Sequence, residues 1–225
     1  MYRNKLNWRN VIAIAICLAA ITMFSGCGKE EGKGGSLVID TKVANGNDYN
    51  DITTVKMEIE AIERHSPTLA YWTSKELANV KYENNILKLN FPESVHEEYL
   101  GEYLWYKAGY HPWFSDYPEH TFPEGVIISE PDAKVGIISI IGYDSEGNHI
   151  GNFVFNDYNY WSAEYIYVDR SFTVKGVTKH GLVFDCSFKK GWNIRYLTPL
   201  EGGKFTTQKP AGIHFEWRYN QRMSL

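Results

Sequence analysis

The chain of 225 residues carries 27 acidic and 23 basic side chains, a net charge of −4, and no run of Lys or Arg. Nucleic-acid binding rests on neutralising phosphates, so this balance excludes nucleic acid as a partner. The 16 Tyr, 11 Phe and 7 Trp favour strands and contact surfaces, and three cysteines are too few for a disulfide framework.

The amino-terminal segment reads as an address. Met1 to Asn10 holds Arg3, Lys5 and Arg9 and no acid, and Val11 to Phe24 is a run of fourteen apolar or near-apolar residues. Ser25, Gly26 and Cys27 follow. A basic head, a short apolar middle and small residues make a secretory signal. As a helix the apolar run rises about 21 Å, short of the roughly 30 Å hydrocarbon core, so a transmembrane anchor is the weaker reading. The cysteine at the cleavage point makes residues 1–26 a lipoprotein signal peptide, with Cys27 as the lipidation site; the plainer alternative is an ordinary signal peptide with an incidental cysteine. Residues 27–36 are that cysteine followed by Gly, Lys, Glu and Ser, and read as a flexible tether. Cleavage removes three cations and takes the net charge from −4 to −7. Cys17 leaves with the signal, so Cys186 is the one cysteine left for the folded part, which rules out an internal disulfide and a cysteine-based zinc cluster.

Residues 37–225 are expected to form a single domain in which period-two alternation dominates. Leu37, Ile39, Thr41 and Val43 face one way. Val55, Met57, Ile59 and Ala61 alternate with charges; Ile52, Val55, Ile59 and Ile62 also fit a helix, and Thr53-Thr54-Val55 favours the strand. Leu87, Leu89 and Phe91 follow an Asn84-Asn85 turn and stop at Pro92. Val135 to Tyr143 is apolar on both faces, a central strand, and returns through a turn at 144–148 into Ile150 to Phe155, a hairpin. Tyr165 to Lys175 reads as one long strand ending at Gly176. Leu182, Phe184, Cys186 and Phe188 share a face; Lys190-Gly191 turns the chain back through Trp192, Ile194 and Tyr196. Ile213, Phe215, Trp217 and Tyr219 form the cleanest strand. Eight or nine strands without alternating helices predict an all-β antiparallel sandwich or barrel, of which the sandwich is the expectation.

One segment breaks the pattern. Ser94–Gly125 is an insertion with nine aromatic residues. Ser94-Val95-His96-Glu97 fits a capping box, which predicts a short helix from Val95 to about Lys107. Pro112, Pro118 and Pro123 exclude regular structure further on. Trp105, Tyr106, Trp113 and Tyr117 offer flat faces for sugar rings, and Asp116 and His111 offer partners for hydroxyls. These six are the candidate ligand-binding residues. The competing reading is that the rings close a small core against the sheet.

Other chemistries find less support. His96, His111, Asp116 and His120 lack zincin spacing, and Asp144 to Asn148 lacks the twelve-residue calcium loop and reads as a turn. Gly-x-Ser-x-Gly is absent, and Cys186 on an apolar face is expected to be an inert core thiol. Glu97, Glu98 and Glu102 lie near the aromatic residues, so a carboxylate-dependent hydrolase stays an alternative. No cofactor and no metal is expected.

Several stretches carry a resemblance. Phe24-Ser25-Gly26-Cys27 resembles a bacterial lipobox, which implies lipidation and acylation at Cys27. Cys27-Gly28-Lys29-Glu30-Glu31 resembles the export signal of Bacteroidetes surface lipoproteins. Tyr82 to Pro92, and Tyr167 to Asn193 with its Lys190-Gly191-Trp192-Asn193 turn, resemble uncharacterised Bacteroidetes cell-surface lipoproteins with immunoglobulin-like sandwich domains. The resemblance implies fold, anchoring and an outer-membrane location on the surface or periplasmic face, and implies no activity. The expectation is an exported, lipid-anchored, non-catalytic binding module whose partners are the membrane and a glycan or another envelope protein; a structural subunit of an envelope complex is the alternative.

Overall fold

The computed structural model describes residues 37–66, 69–102, 124–157, 161–198 and 202–221, with backbone alone at 62–66, 69–72 and 221. The described chain is all-β. Its strands are β1 (Val38–Lys42), β2 (Thr54–Ser66), β3 (Leu69–Lys81), β4 (Ile86–Asn90), β5 (Gly101–Glu102), β6 (Val126–Ile128) and β7 (Lys134–Tyr143). They continue as β8 (His149–Asn156), β9 (Ser162–Val168), β10 (Phe172–Val177), β11 (Val183–Phe188), β12 (Gly191–Leu197), β13 (Lys204–Thr206) and β14 (Glu216–Gln221). Alternation is the local cause. In β4, Leu87 and Leu89 are buried while Ile86, Lys88 and Asn90 face out, and the ambiguous segment at Val55–Ala61 is a strand with its odd residues buried. Asn84 and Asn85 take the left-handed conformation (φ 55° and 58°), and the Ile86 amide closes the turn on the Glu83 carbonyl at 3.0 Å.

β1 and β4 form a two-stranded antiparallel sheet. The other twelve strands form one sheet, with β3-β2-β7-β8-β9-β12-β13-β11-β10-β6 as its main path. β7 is central: it pairs with β2 on one side, and on the other with β9 through Val135–Ile137 and with β8 through Ile140–Tyr143. β14 lies outside β8.

β9 explains the layering. Its Ile166 and Val168 pack with Phe172, Val174, Phe184, Cys186 and Phe205, so the far end of the sheet folds over that face. Tyr165 faces the opposite way, into a second core where Ile39, Leu87 and Leu89 of the small sheet, with Phe91 just past it, cover Met57, Ile140 and Trp217. Arg195 is fully buried on the first face, its Nε 3.1 Å from the carboxylate of Glu164, the residue directly opposite it across β9–β12.

The structure corrects four expectations. The helix from Val95 is absent over 95–102: a single 3-10 turn at Glu97–Tyr99 leads into β5. The capping-box signal loses to tertiary contacts, because Leu100 docks beside Ile59 and Tyr167 and Gly101 pairs with Val135. The expected strand from Tyr165 to Lys175 is two strands. Asp169 binds the Lys134 amide through its carboxylate at 2.9 Å, and its own amide binds the Lys134 carbonyl at 3.0 Å. The chain bends there, and β10 swings over β9. β11 and β12 do not pair as a hairpin; β12 pairs with β9 and β13, and β11 with β10 and β13. The Lys190-Gly191-Trp192-Asn193 turn instead carries the chain across, fixed by Asn193, whose side chain accepts from the Lys189 amide and donates to the Lys189 and Gly191 carbonyls. The sheet is also mixed, since β11–β13 is parallel.

Candidate functional site

A cleft of about 640 Å³ opens where three segments meet: the loop after β1, the β7–β8 turn and β14. The loop is positioned by Asn45. Its side chain donates to the Tyr219 carbonyl and accepts from the Tyr219 amide, both at 2.8 Å, so it imitates a neighbouring strand. Gly46 then allows a 3-10 turn at Gly46–Asp48, because a methyl there would lie 2.7 Å from the Asn85 Cβ. Asp48, Tyr49, Asn50, Asp51 and Thr53 follow along the wall.

The opposite wall is the turn itself. The Asp144 carboxylate accepts from the Glu146 and Asn148 amides at 2.9 and 2.8 Å and from the Asn148 side chain at 2.9 Å. The Asn148 side chain first, then these amides, hold its carboxyl below the ordinary value. The register slips beside the turn, with Gly142 opposite Gly151 and Tyr143 opposite His149, so Ile150 is the extra residue of a bulge facing the cleft.

Tyr219 joins the walls. It packs edge-on against Tyr49, with ring centroids 4.5 Å apart, and lies over the glycine pair. A methyl at Gly142 would stand 3.1 Å from the Tyr219 Cε2, and one at Gly151 2.5 Å from its hydroxyl. Glycines inside strands mark such close approach. Tyr219 is 3 % exposed, and its hydroxyl has no hydrogen-bond partner among the described residues. Burial first, then Tyr49 and Asp51 beside it, pushes this hydroxyl up to about 12, so it stays a neutral donor. Asp48, Asp51, Asp144 and Glu146 bring four carboxylates to the cleft, and among the described residues no basic side chain lines it.

The lipidation residue Cys27 and the candidate ligand residues Trp105, Tyr106, His111, Trp113, Asp116 and Tyr117 lie outside the described residues. Of the nearby acids, Glu97 pairs with Lys134 at 2.7 Å and Glu98 with His96 at 3.6 Å. Trp192 acts as a core anchor: its indole donates to the Pro92 carbonyl at 2.7 Å and packs on Phe91 and Tyr167. Cys186 is fully buried, and burial pushes its thiol up to about 11. The cleft was not recognised from sequence. Its one local signal was the acid-and-amide run Asn45 to Asp51 ahead of a strand, and Tyr219 reads in the sequence as an ordinary inward residue.

No protein-family model, no curated protein and no solved structure matches this chain.

Proposed function

We propose that this protein is an exported, lipid-anchored, non-catalytic binding module: a β-sandwich domain tethered to the outer membrane through Cys27 that recognises glycan. The observation that carries the ligand class is the cleft, where the Tyr49 and Tyr219 rings stand beside Asp48, Asn50, Asp51 and Thr53. Rings with polar acceptors at their edges suit a sugar, whose apolar face stacks while its hydroxyls donate. The nine aromatic residues of Ser94–Gly125 support the same class from the sequence. The anchor rests on the basic, apolar and small-residue order of residues 1–27.

Screening the full chain against a panel of immobilised glycans tests the ligand class. The wild type retains one sugar series and Tyr49→Ala loses it; a wild type that retains no sugar refutes the reading. A second reading, a structural subunit of an envelope complex, is favoured by one observation. Ile127 and Val177 are 73 % and 52 % exposed and share the outer face where β6 meets β10. Crosslinking from Ile127 to a second envelope protein would favour it.

A further inference from the structure

We infer that Asn45–Gly46 is a modification site: a spontaneous deamidation site that the folded domain holds shut, and that opens when β14 releases the loop after β1. It is the one Asn-Gly pair in the sequence. Such a pair is labile because glycine puts no side chain beside its own amide nitrogen and leaves the backbone free to turn. Solvent base takes the proton of the Gly46 amide, and the nitrogen attacks the Asn45 Cγ. The new N–Cγ bond forms, and the Cγ–Nδ2 bond breaks as ammonia leaves with a proton returned from solvent. Water then opens the resulting succinimide at either carbonyl, giving aspartate or isoaspartate. Water is the co-reactant, and nothing is oxidised or reduced. Packing imposes the labile pair, since a Cβ at Gly46 would lie 2.7 Å from the Asn85 Cβ and 2.9 Å from the Tyr82 hydroxyl.

The fold holds both reacting groups. The Asn45 side chain is bound at both ends, donating to the Tyr219 carbonyl and accepting from the Tyr219 amide. The Gly46 amide donates to the Val43 carbonyl at 3.2 Å. The Ala44 amide adds a bond to the Trp217 carbonyl at 2.8 Å, so the loop runs along the edge of β14 that faces away from β8. Attack needs Asn45 off Tyr219 and Gly46 off Val43 together, which requires a local opening of this edge. The product does not restore the contact. A carboxylate at position 45 has no proton for the Tyr219 carbonyl and sets oxygen against oxygen. Conversion is one-way, so the chain keeps a record of each productive opening and closes less firmly afterwards.

The test is peptide mass spectrometry on the full chain incubated at mildly alkaline pH, folded and in urea. In urea the peptide holding residue 45 converts to its aspartate and isoaspartate forms, and in the folded protein it converts at least about tenfold more slowly. Asn45→Asp, which installs one product directly, lowers the thermal midpoint by about 2–4 °C and speeds hydrogen exchange of the Ala44 and Tyr219 amides. Asn79→Asp, at an exposed position of β3, leaves both unchanged. Equal conversion rates in the folded and unfolded chain overturn the protection, and no conversion in urea overturns the site. An Asn45→Asp variant with wild-type midpoint and exchange overturns the consequence for β14. The rate comparison uses the wild type and decides even where Asn45→Asp fails to fold.

Discussion

Replacing Tyr219 by Phe removes one buried oxygen and leaves the ring that joins Tyr49, Phe153 and the Gly142–Gly151 pair. In the wild type that oxygen is desolvated with no hydrogen-bond partner among the described residues. An unpaired buried hydroxyl costs about 1–3 kcal/mol, and deleting it leaves only a small void, so the variant gains about 1 kcal/mol. For a domain of this length that is a rise of about 2–4 °C in the thermal midpoint. Tyr82→Phe is the internal comparison, because the Tyr82 hydroxyl is equally unpartnered and burial also pushes it up to about 12. Both variants should gain stability by scanning calorimetry. Midpoints that fall in both variants would mean that the hydroxyls are satisfied in solution, and the reasoning from their burial would fail.

Glu164→Gln removes the carboxylate that faces the buried Arg195 guanidinium across β9–β12. Removing one partner of a buried pair costs about 3–5 kcal/mol, reduced here to about 2 because Glu164 is 26 % exposed; urea denaturation reads it, and an unchanged midpoint refutes the pairing. Cys186, with its thiol raised to about 11, should resist iodoacetamide at pH 8 in the folded protein and react in denaturant; labelling of native protein would contradict its burial. The Asp185 carboxyl is held below its ordinary value by Lys175 and then Lys204. A depressed folded value means that its contribution is full above the unfolded value near about 4 and is lost as pH falls through the lower folded one. Asp185→Asn should therefore flatten the stability profile only below about pH 4, and an effect confined to neutral pH would refute the sign.

Alternation carried most of the strands because each has one wet face and one dry face. Leu87, Leu89 and Phe91, and likewise Phe215, Trp217 and Tyr219, are buried as their spacing predicts. β3 stayed hidden for the converse reason: Thr73 to Lys81 holds no fully buried residue, and a strand at the end of the sheet path has little pattern to show. β5, β6 and β13, of two or three residues, exist only through their partners. The break at Asp169 and the parallel β11–β13 pair are tertiary decisions, set by Lys134 and by the second layer, and leave no local trace. The cleft was illegible because its parts lie 174 residues apart and meet through tertiary contacts, the Asn45 side chain on the Tyr219 backbone and the Tyr49 ring on the Tyr219 ring. The insertion rings were legible as a candidate surface, and their placement lies outside the described residues.

The most direct measurement of the central claim is residue-level mapping by amide chemical shifts during titration with a sugar retained in the glycan screen. Perturbations should cluster at Asp48–Thr53, at Asp144–Gly151 and at Tyr219, with the Tyr82 amide unmoved. Shifts confined to other surfaces, or absent at saturating sugar, would contradict the cleft as the binding site.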